Sequence, residues 1–264
     1  MPNEEAWLDV GKAADIFFAA GPLAARQALA GLEHGVDVIV QGAATRVRQL
    51  LVADMDSTMI TVECIDELAD YAGIKPQIAE ITERAMRGEL DFAAALRARV
   101  ALLKGLDDGV IDICRAERVR LMPGATTLVR TMAARGARTV LVSGGFTRFA
   151  EPVAAEIGFD TAIANVLEIA DGVLTGGVAD PIVDAARKRH ELEKALTAGG
   201  IDPALSMAVG DGANDIPMVE AAGLGVAYHA KEKLRAAADA EIVHGDLTVL
   251  LYAQGIPSAE WVKG

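Results

Sequence analysis

The stretch Asp54-Met55-Asp56-Ser57-Thr58 places two carboxylates two positions apart, directly after the apolar run Leu50-Leu51-Val52-Ala53. At a strand exit, residues i and i+2 can point their side chains the same way. Carboxylates held that close repel one another unless a cation or a proton resolves the conflict. Asp211 and Asp215, in Gly210-Asp211-Gly212-Ala213-Asn214-Asp215, follow a second apolar run, Met207 to Val209, and bring the carboxylates to four. Such a set without histidine describes a hard-cation site, for which Mg²⁺ is the usual occupant beside phosphates. Taken alone, Asp54 and Asp56 would serve equally well as a helix cap and a solvated loop. Ser143-Gly144-Gly145, after the apolar run Thr139 to Val142, adds a hydroxyl and unencumbered backbone N–H groups. Those groups suit phosphate oxygens.

The elements that must position these residues repeat one pattern: a short apolar strand, a tight polar or glycine-rich turn, then a helix. Leu224 to Ala227 is a fourth strand of this kind. Alternation of strands and helices indicates an α/β fold with a parallel sheet, expected here as a Rossmann-like doubly wound sheet. Ligands bind outside the carboxyl ends of such strands, so three strand ends should deliver their polar groups to one edge. Between the first and second of these strands, helices are expected over Glu67–Tyr71, Gln77–Arg87, Phe92–Leu103 and Val110–Arg120. This insertion sits where a lid would sit. The expected organisation is a core over 47–64 and 121–264, a helical cap over 65–120 inserted after the first motif strand, and a leader over 1–46. Within the leader a helix is expected over Ala24–Leu32 and a strand over Val36–Val40, with no chemistry.

The chain of 264 residues carries 38 acidic against 25 basic residues, a net charge of −13. No positive field gathers nucleic acid, and a phosphate site needs its own local cation. Arg187-Lys188-Arg189-His190 and the nearby Lys194 are the candidates, and composition alone also allows a solvated helix face. No apolar run is long enough to cross a membrane, and the acidic start is no signal peptide. Cys64 and Cys114 read as two reduced thiols and the four histidines form no metal-ligand spacing, so a cytoplasmic location is expected.

Together, Asp54 to Thr58, Ser143 to Gly145, a lysine on a later helix, and Gly210 to Asp215 resemble the four motifs of haloacid dehalogenase-type phosphatases, in order from about Arg48 to Ala253. Within that superfamily the chain resembles the phosphoserine phosphatases, whose reaction is the last step of serine biosynthesis. The resemblance implies that Asp54 attacks phosphorus and that Asp56 serves as general acid and base. It implies Mg²⁺ on Asp54, Asp211 and the backbone carbonyl of Asp56, with Asp215 orienting the metal site. Ser143, Gly144, Gly145, Asn214 and a lysine would hold the phosphate. Family spacing, with Asp184 four residues before and Leu192 four after, selects Lys188. For O-phosphoserine, Glu63 would take the ammonium and Arg99 the carboxylate, with Met86 and Phe92 as apolar walls. By composition, Glu63 and Arg99 would both read as surface charges, and by periodicity Met86 and Phe92 as cap core. The implied partner is this small substrate, to a monomer or homodimer. Transfer of the phosphate to another alcohol such as homoserine, and a phospho-accepting signalling module, use the same motifs and stay open at this point.

Overall fold

Leu50-Leu51-Val52-Ala53 has no exposed surface at all, which a strand achieves only when both faces of its sheet are covered. The computed structural model describes residues 5–29, 31, 35–87 and 89–263, with the side chains of residues 5, 6 and 86 outside the description. The leader holds the hairpin β1 (Glu5–Asp9) and β2 (Ala13–Ile16), then α1 (Pro22–Leu29). The first central strand, β3 (Leu50–Ala53), is followed by four helices: α2 (Cys64–Tyr71), α3 (Lys75–Met86), α4 (Phe92–Ala101) and α5 (Gly109–Arg118). Next come α6 (Ala125–Ala134), β4 (Arg138–Phe146), α7 (Thr147–Ile157) and β5 (Thr161–Asn165). After the hairpin β6 (Leu167–Ala170) and β7 (Val173–Val178), the chain continues through α8 (Ala185–Gly199), β8 (Ser206–Gly210) and α9 (Ile216–Ala221). It closes with β9 (Gly225–Tyr228), α10 (Glu232–Ala237), β10 (Ala240–Ile242) and α11 (Val249–Ala253).

Six strands form one sheet in the order β10-β9-β8-β3-β4-β5, every neighbouring pair parallel. Period-2 alternation divides each strand between two cores. Leu50 and Val52 pack with Leu192, Leu196, Met218 and Leu234 of α8, α9 and α10. Leu51 and Ala53 pack with Leu128, Phe149 and Leu250 of α6, α7 and α11. From β3 the chain winds outward through β4 and β5, and from β8 it winds the other way through β9 and β10. The topological switch therefore lies between β3 and β8, and its crevice opens at their carboxyl ends.

The four cap helices begin and end within three residues of the expected positions. The chain segments that enter and leave them are pinned together by an antiparallel bridge, Ile60 to Leu121, with Thr61 N–H donating to Arg120 O at 3.0 Å. The hairpin β6–β7 was not expected. It lies along α4 and the turn that follows, where a Cβ on Gly176 would come within 3.3 Å of Ala101 O and 3.0 Å of Lys104 Cβ. Backbone bonds of 2.8 and 2.9 Å join Leu174 to Gly105 and Leu106.

The leader differs from expectation. Its helix runs Pro22–Leu29, and residues 30 and 32 lie outside the described residues. No strand forms over 36–40. There the Asp37 carboxylate accepts from the backbone N–H groups of Val243, His244 and Gly245 at 2.8, 3.1 and 2.7 Å. Val40 O accepts from the Arg26 guanidinium at 3.0 Å. The alternating pattern thus serves as a side-chain tie, not a ladder. The hairpin β1–β2 is the strand structure the leader does contain.

Candidate active site

Asp54 follows β3 and keeps its register, its N–H donating to Val209 O at 3.0 Å. Its Oδ1 accepts from Met55 N at 2.7 Å and faces Lys188 Nζ at 2.7 Å. The same ammonium donates to Asp215 Oδ1 at 2.7 Å. Lys188 reaches this point because Asp184 caps α8, accepting from Arg187 N at 2.8 Å, and the lysine lies one turn on. It is wholly buried, whereas Lys194 is largely exposed and pairs with Glu191. Burial alone would push the Lys188 pKa down, but the carboxylates of Asp215 and Asp54 hold it above its ordinary value.

On β8's loop, Asp215 Oδ2 accepts from the N–H groups of Asp211 and Gly212 at 3.2 and 3.1 Å. A Cβ on Gly210 would overlap that carboxylate. One oxygen from each of Asp54, Asp211 and Asp215 lies within 4.8 Å of the others. Burial raises the pKa of Asp54, and Asp215 adds to the rise against Lys188. Burial also raises Asp211, whose nearest cation is the mostly exposed Lys231 at 3.5 Å. One buried lysine leaves three crowded carboxylates under-compensated, and an oxygen-ligated divalent cation fits that donor set. The Asp56 carboxylate stands outside this trio. Burial, with Glu63 beside it, pushes Asp56 up to about 7. Its Oδ1 is buried without a hydrogen-bond partner, as is Thr58 Oγ1.

Ser143 is buried, and its Oγ accepts from Gly145 N at 2.8 Å, which leaves its own O–H free to donate. The two glycines are required by close approach. A Cβ on Gly145 would lie 2.9 Å from Asp56 Oδ2, and one on Gly144 would lie 3.1 Å from the Phe92 ring. The latter contact brings the cap over the loop. Asn214 sits beside Gly212, where a Cβ would overlap its Oδ1.

Glu63 opens α2 and accepts from Ser57 Oγ at 2.7 Å. Ser57 has φ +56, a costly conformation for a residue with a Cβ. Of the two neighbouring arginines on α4, Arg97 turns outward to Asp180 and Val178 O. Arg99 is partly buried; burial lowers its pKa while Asp66 and Glu63 oppose the fall. The site thus gathers Asp54, Asp56, Asp211, Asp215, Ser143 and Lys188, with Glu63, Phe92 and Arg99 on the cap side. The side chain of Met86 lies outside the described residues. Sequence reasoning gave no role to Ser57, a non-glycine at positive φ, or to Asn165, the buried polar end of a short apolar strand.

The haloacid dehalogenase-like hydrolase family matches residues 51–220. Phosphoserine phosphatase SerB2 of Mycobacterium tuberculosis is 48% identical over 91% of this chain, which spans 59% of that relative's length. A phosphoserine phosphatase of Albidiferax ferrireducens is 46% identical over 81% of this chain and 94% of its own. Among solved structures, a haloacid dehalogenase family hydrolase of Salmonella enterica superposes with a TM-score of 0.83 at 33% identity, covering 91% of this chain and 84% of that one.

Proposed function

The chain belongs to the haloacid dehalogenase-like hydrolases, and from that membership we propose that it hydrolyses O-phosphoserine to serine and phosphate, the closing step of serine biosynthesis. One observation carries the reading: a buried lysine bridging Asp54 and Asp215 at 2.7 Å each, with Asp211 in reach, where the ends of β3 and β8 meet the start of α8. The similarity to phosphoserine phosphatases selects the substrate.

In this reading Asp54 is the nucleophile. A carboxylate oxygen attacks phosphorus, the bond from phosphorus to the serine oxygen breaks, and an aspartyl-phosphate forms. Asp56, pushed up to about 7, carries a proton near neutrality and gives it to the leaving oxygen. It then takes a proton from the water that attacks the aspartyl-phosphate, releasing phosphate and restoring Asp54. Mg²⁺ held by Asp54, Asp211 and the main-chain carbonyl of Asp56, ordered by Asp215, would offset the repulsion between nucleophile and phosphate. Ser143 O–H, Gly144 N–H, Lys188 and Asn214 hold the phosphoryl oxygens as charge shifts in the transition state.

On the cap side Glu63 takes the substrate ammonium and Arg99 its carboxylate through parallel N–H bonds, with Phe92 and Met86 as walls. The core boundaries at 47–64 and 121–264, with the cap at 65–120, follow the same reading. No helix among the described residues is long and apolar enough to cross a membrane. Two free buried thiols support a cytoplasmic location.

Free phosphate measured on a panel of phosphoserine, phosphothreonine and phosphohomoserine, with Mg²⁺ and with chelator, tests this. Phosphoserine should lead the panel, chelator should silence turnover and Mg²⁺ should restore it. Phosphate release that requires an added alcohol would turn the reading to phosphotransfer.

A further inference from the structure

The bulge that carries Ser143-Gly144-Gly145 leaves a backbone problem that one unassigned side chain solves. β4 and β5 pair in register at Val140 to Val142 and again at Phe146 opposite Asn165, with the register lost between. A bulge of this kind takes backbone groups out of the ladder, and a buried carbonyl needs a partner. Asn165 Nδ2 donates to Gly144 O at 2.8 Å. Its Oδ1 accepts from Val183 N at 2.8 Å. Asn165 itself is 1% exposed, its bond to Val183 N is buried and its bond to Gly144 O partly so, and the orientation of its amide is fixed by one donor need and one acceptor need.

These two bonds join the two halves of the phosphate clamp. Gly144 lies in the loop that presents the Ser143 hydroxyl and the glycine N–H groups. Val183 precedes Asp184, the residue that caps α8 and sets the turn on which Lys188 rides. Ser143 and Lys188 sit on separate elements 45 positions apart in the chain, and Asn165 is one amide reaching both. We propose that Asn165 is a positioning residue that fixes the distance between the Ser143-Gly144 loop and Lys188, and so the geometry in which the transferring phosphoryl group is held. It touches no substrate atom. This role rests on the phosphatase reading above.

The test uses the full chain with Mg²⁺ and compares Asn165→Asp and Asn165→Ala with wild type on phosphoserine and on p-nitrophenyl phosphate. Asn165→Asp keeps the acceptor for Val183 N–H and nearly the same shape, but where the donor was it sets a carboxylate oxygen, and with it a buried charge, against Gly144 O. It should stay folded at the assay temperature with a lowered Tm, and lose kcat by about 10²-fold, the scale on which misplacement by an ångström acts. The loss should be equal on both substrates, because the phosphoryl clamp is common to them, while the ratio of their KM values holds, because Glu63 and Arg99 are untouched. Asn165→Ala should lose more kcat. Folded Asn165→Asp and Asn165→Ala both within about threefold of wild-type kcat, or losses that only track the unfolded fraction seen by circular dichroism, overturn the proposal. The wild-type control keeps the two readings apart. Turnover of the aryl phosphate without turnover of phosphoserine would sink the substrate assignment, and the Asn165 comparison would still be decided on the aryl phosphate.

Discussion

At the scale of single residues, the site is an electrostatic compromise in which function opposes stability. Asp54, Asp211 and Asp215 share a desolvated crevice with one buried ammonium. Each carboxylate beyond the first is held against its neighbours' charge. Asp54→Asn removes one such charge and keeps the shape, and Lys188 retains Asp215. The variant should lose kcat by at least about 10⁴-fold while its Tm in chelator rises above wild type. Activity assays with differential scanning calorimetry check both, and a fall in Tm would mean that the Lys188 to Asp54 pair outweighs the crowding. Gly145→Ala makes a second, steric case. Its Cβ would press on Asp56 Oδ2 at 2.9 Å and on Ser143 Oγ at 3.1 Å, in the proposed reading the proton-transferring carboxylate and a donor to a phosphoryl oxygen. Displacing them should lower kcat by about 10²-fold with little change in KM, and steady-state kinetics will show the split.

At the scale of elements, the strands that deliver chemistry were legible because burial on both faces leaves unbroken apolar runs such as Leu50 to Ala53, and glycine-rich turns mark their ends. The cap helices were legible from their glycine and proline punctuation. The hairpin β6–β7 was not. Leu167 to Val178 is broken by Glu168, Asp171, Gly172, Gly176 and Gly177, and its fit to α4 depends on Gly176 approaching Lys104 and Ala101, a contact no local pattern announces. Asn165 escaped notice for the same reason, since its partners Gly144 and Val183 lie 21 and 18 positions away. On α4, two arginines meet different surroundings: Arg97 pairs with Asp180, while Arg99 is partly buried and feels the charges of Asp66 and Glu63. Arg99→Ala should therefore raise KM for phosphoserine by 10-fold or more, about 1.4 kcal/mol, and leave an aryl phosphate unaffected. Arg97→Ala should leave both near wild type. Equal damage to both substrates by Arg99→Ala would remove its assignment to the substrate carboxylate.

At the scale of the whole molecule, the leader is the part whose sequence said least. Its strand-like stretch Val36 to Val40 serves as a tie through Asp37, and its true strands, β1 and β2, are too short to hold together alone. The hairpin is secured instead from the far end of the chain. Asp9 Oδ2 accepts from Tyr252 O–H at 2.6 Å and from Ser258 N at 3.0 Å, and Asp15 pairs with Arg46 at 2.6 Å. All of these contacts lie away from the carboxyl ends of β3 and β8. A chain lacking residues 1–21 should thus keep wild-type kcat and KM and lose a few degrees of Tm. The loss should depend on pH in a defined sense. Hydrogen bonds from Ser258 and Tyr252 hold the Asp9 carboxyl below its usual range. A carboxyl with a lowered folded pKa stabilises the fold above its unfolded pKa, and that stabilisation fades as pH falls through the folded value. The Tm gap between full and shortened chains should therefore be widest near neutrality and narrow in acid, as paired thermal melts across pH would show. A gap that widened in acid would place the hairpin's hold on the core in contacts other than Asp9.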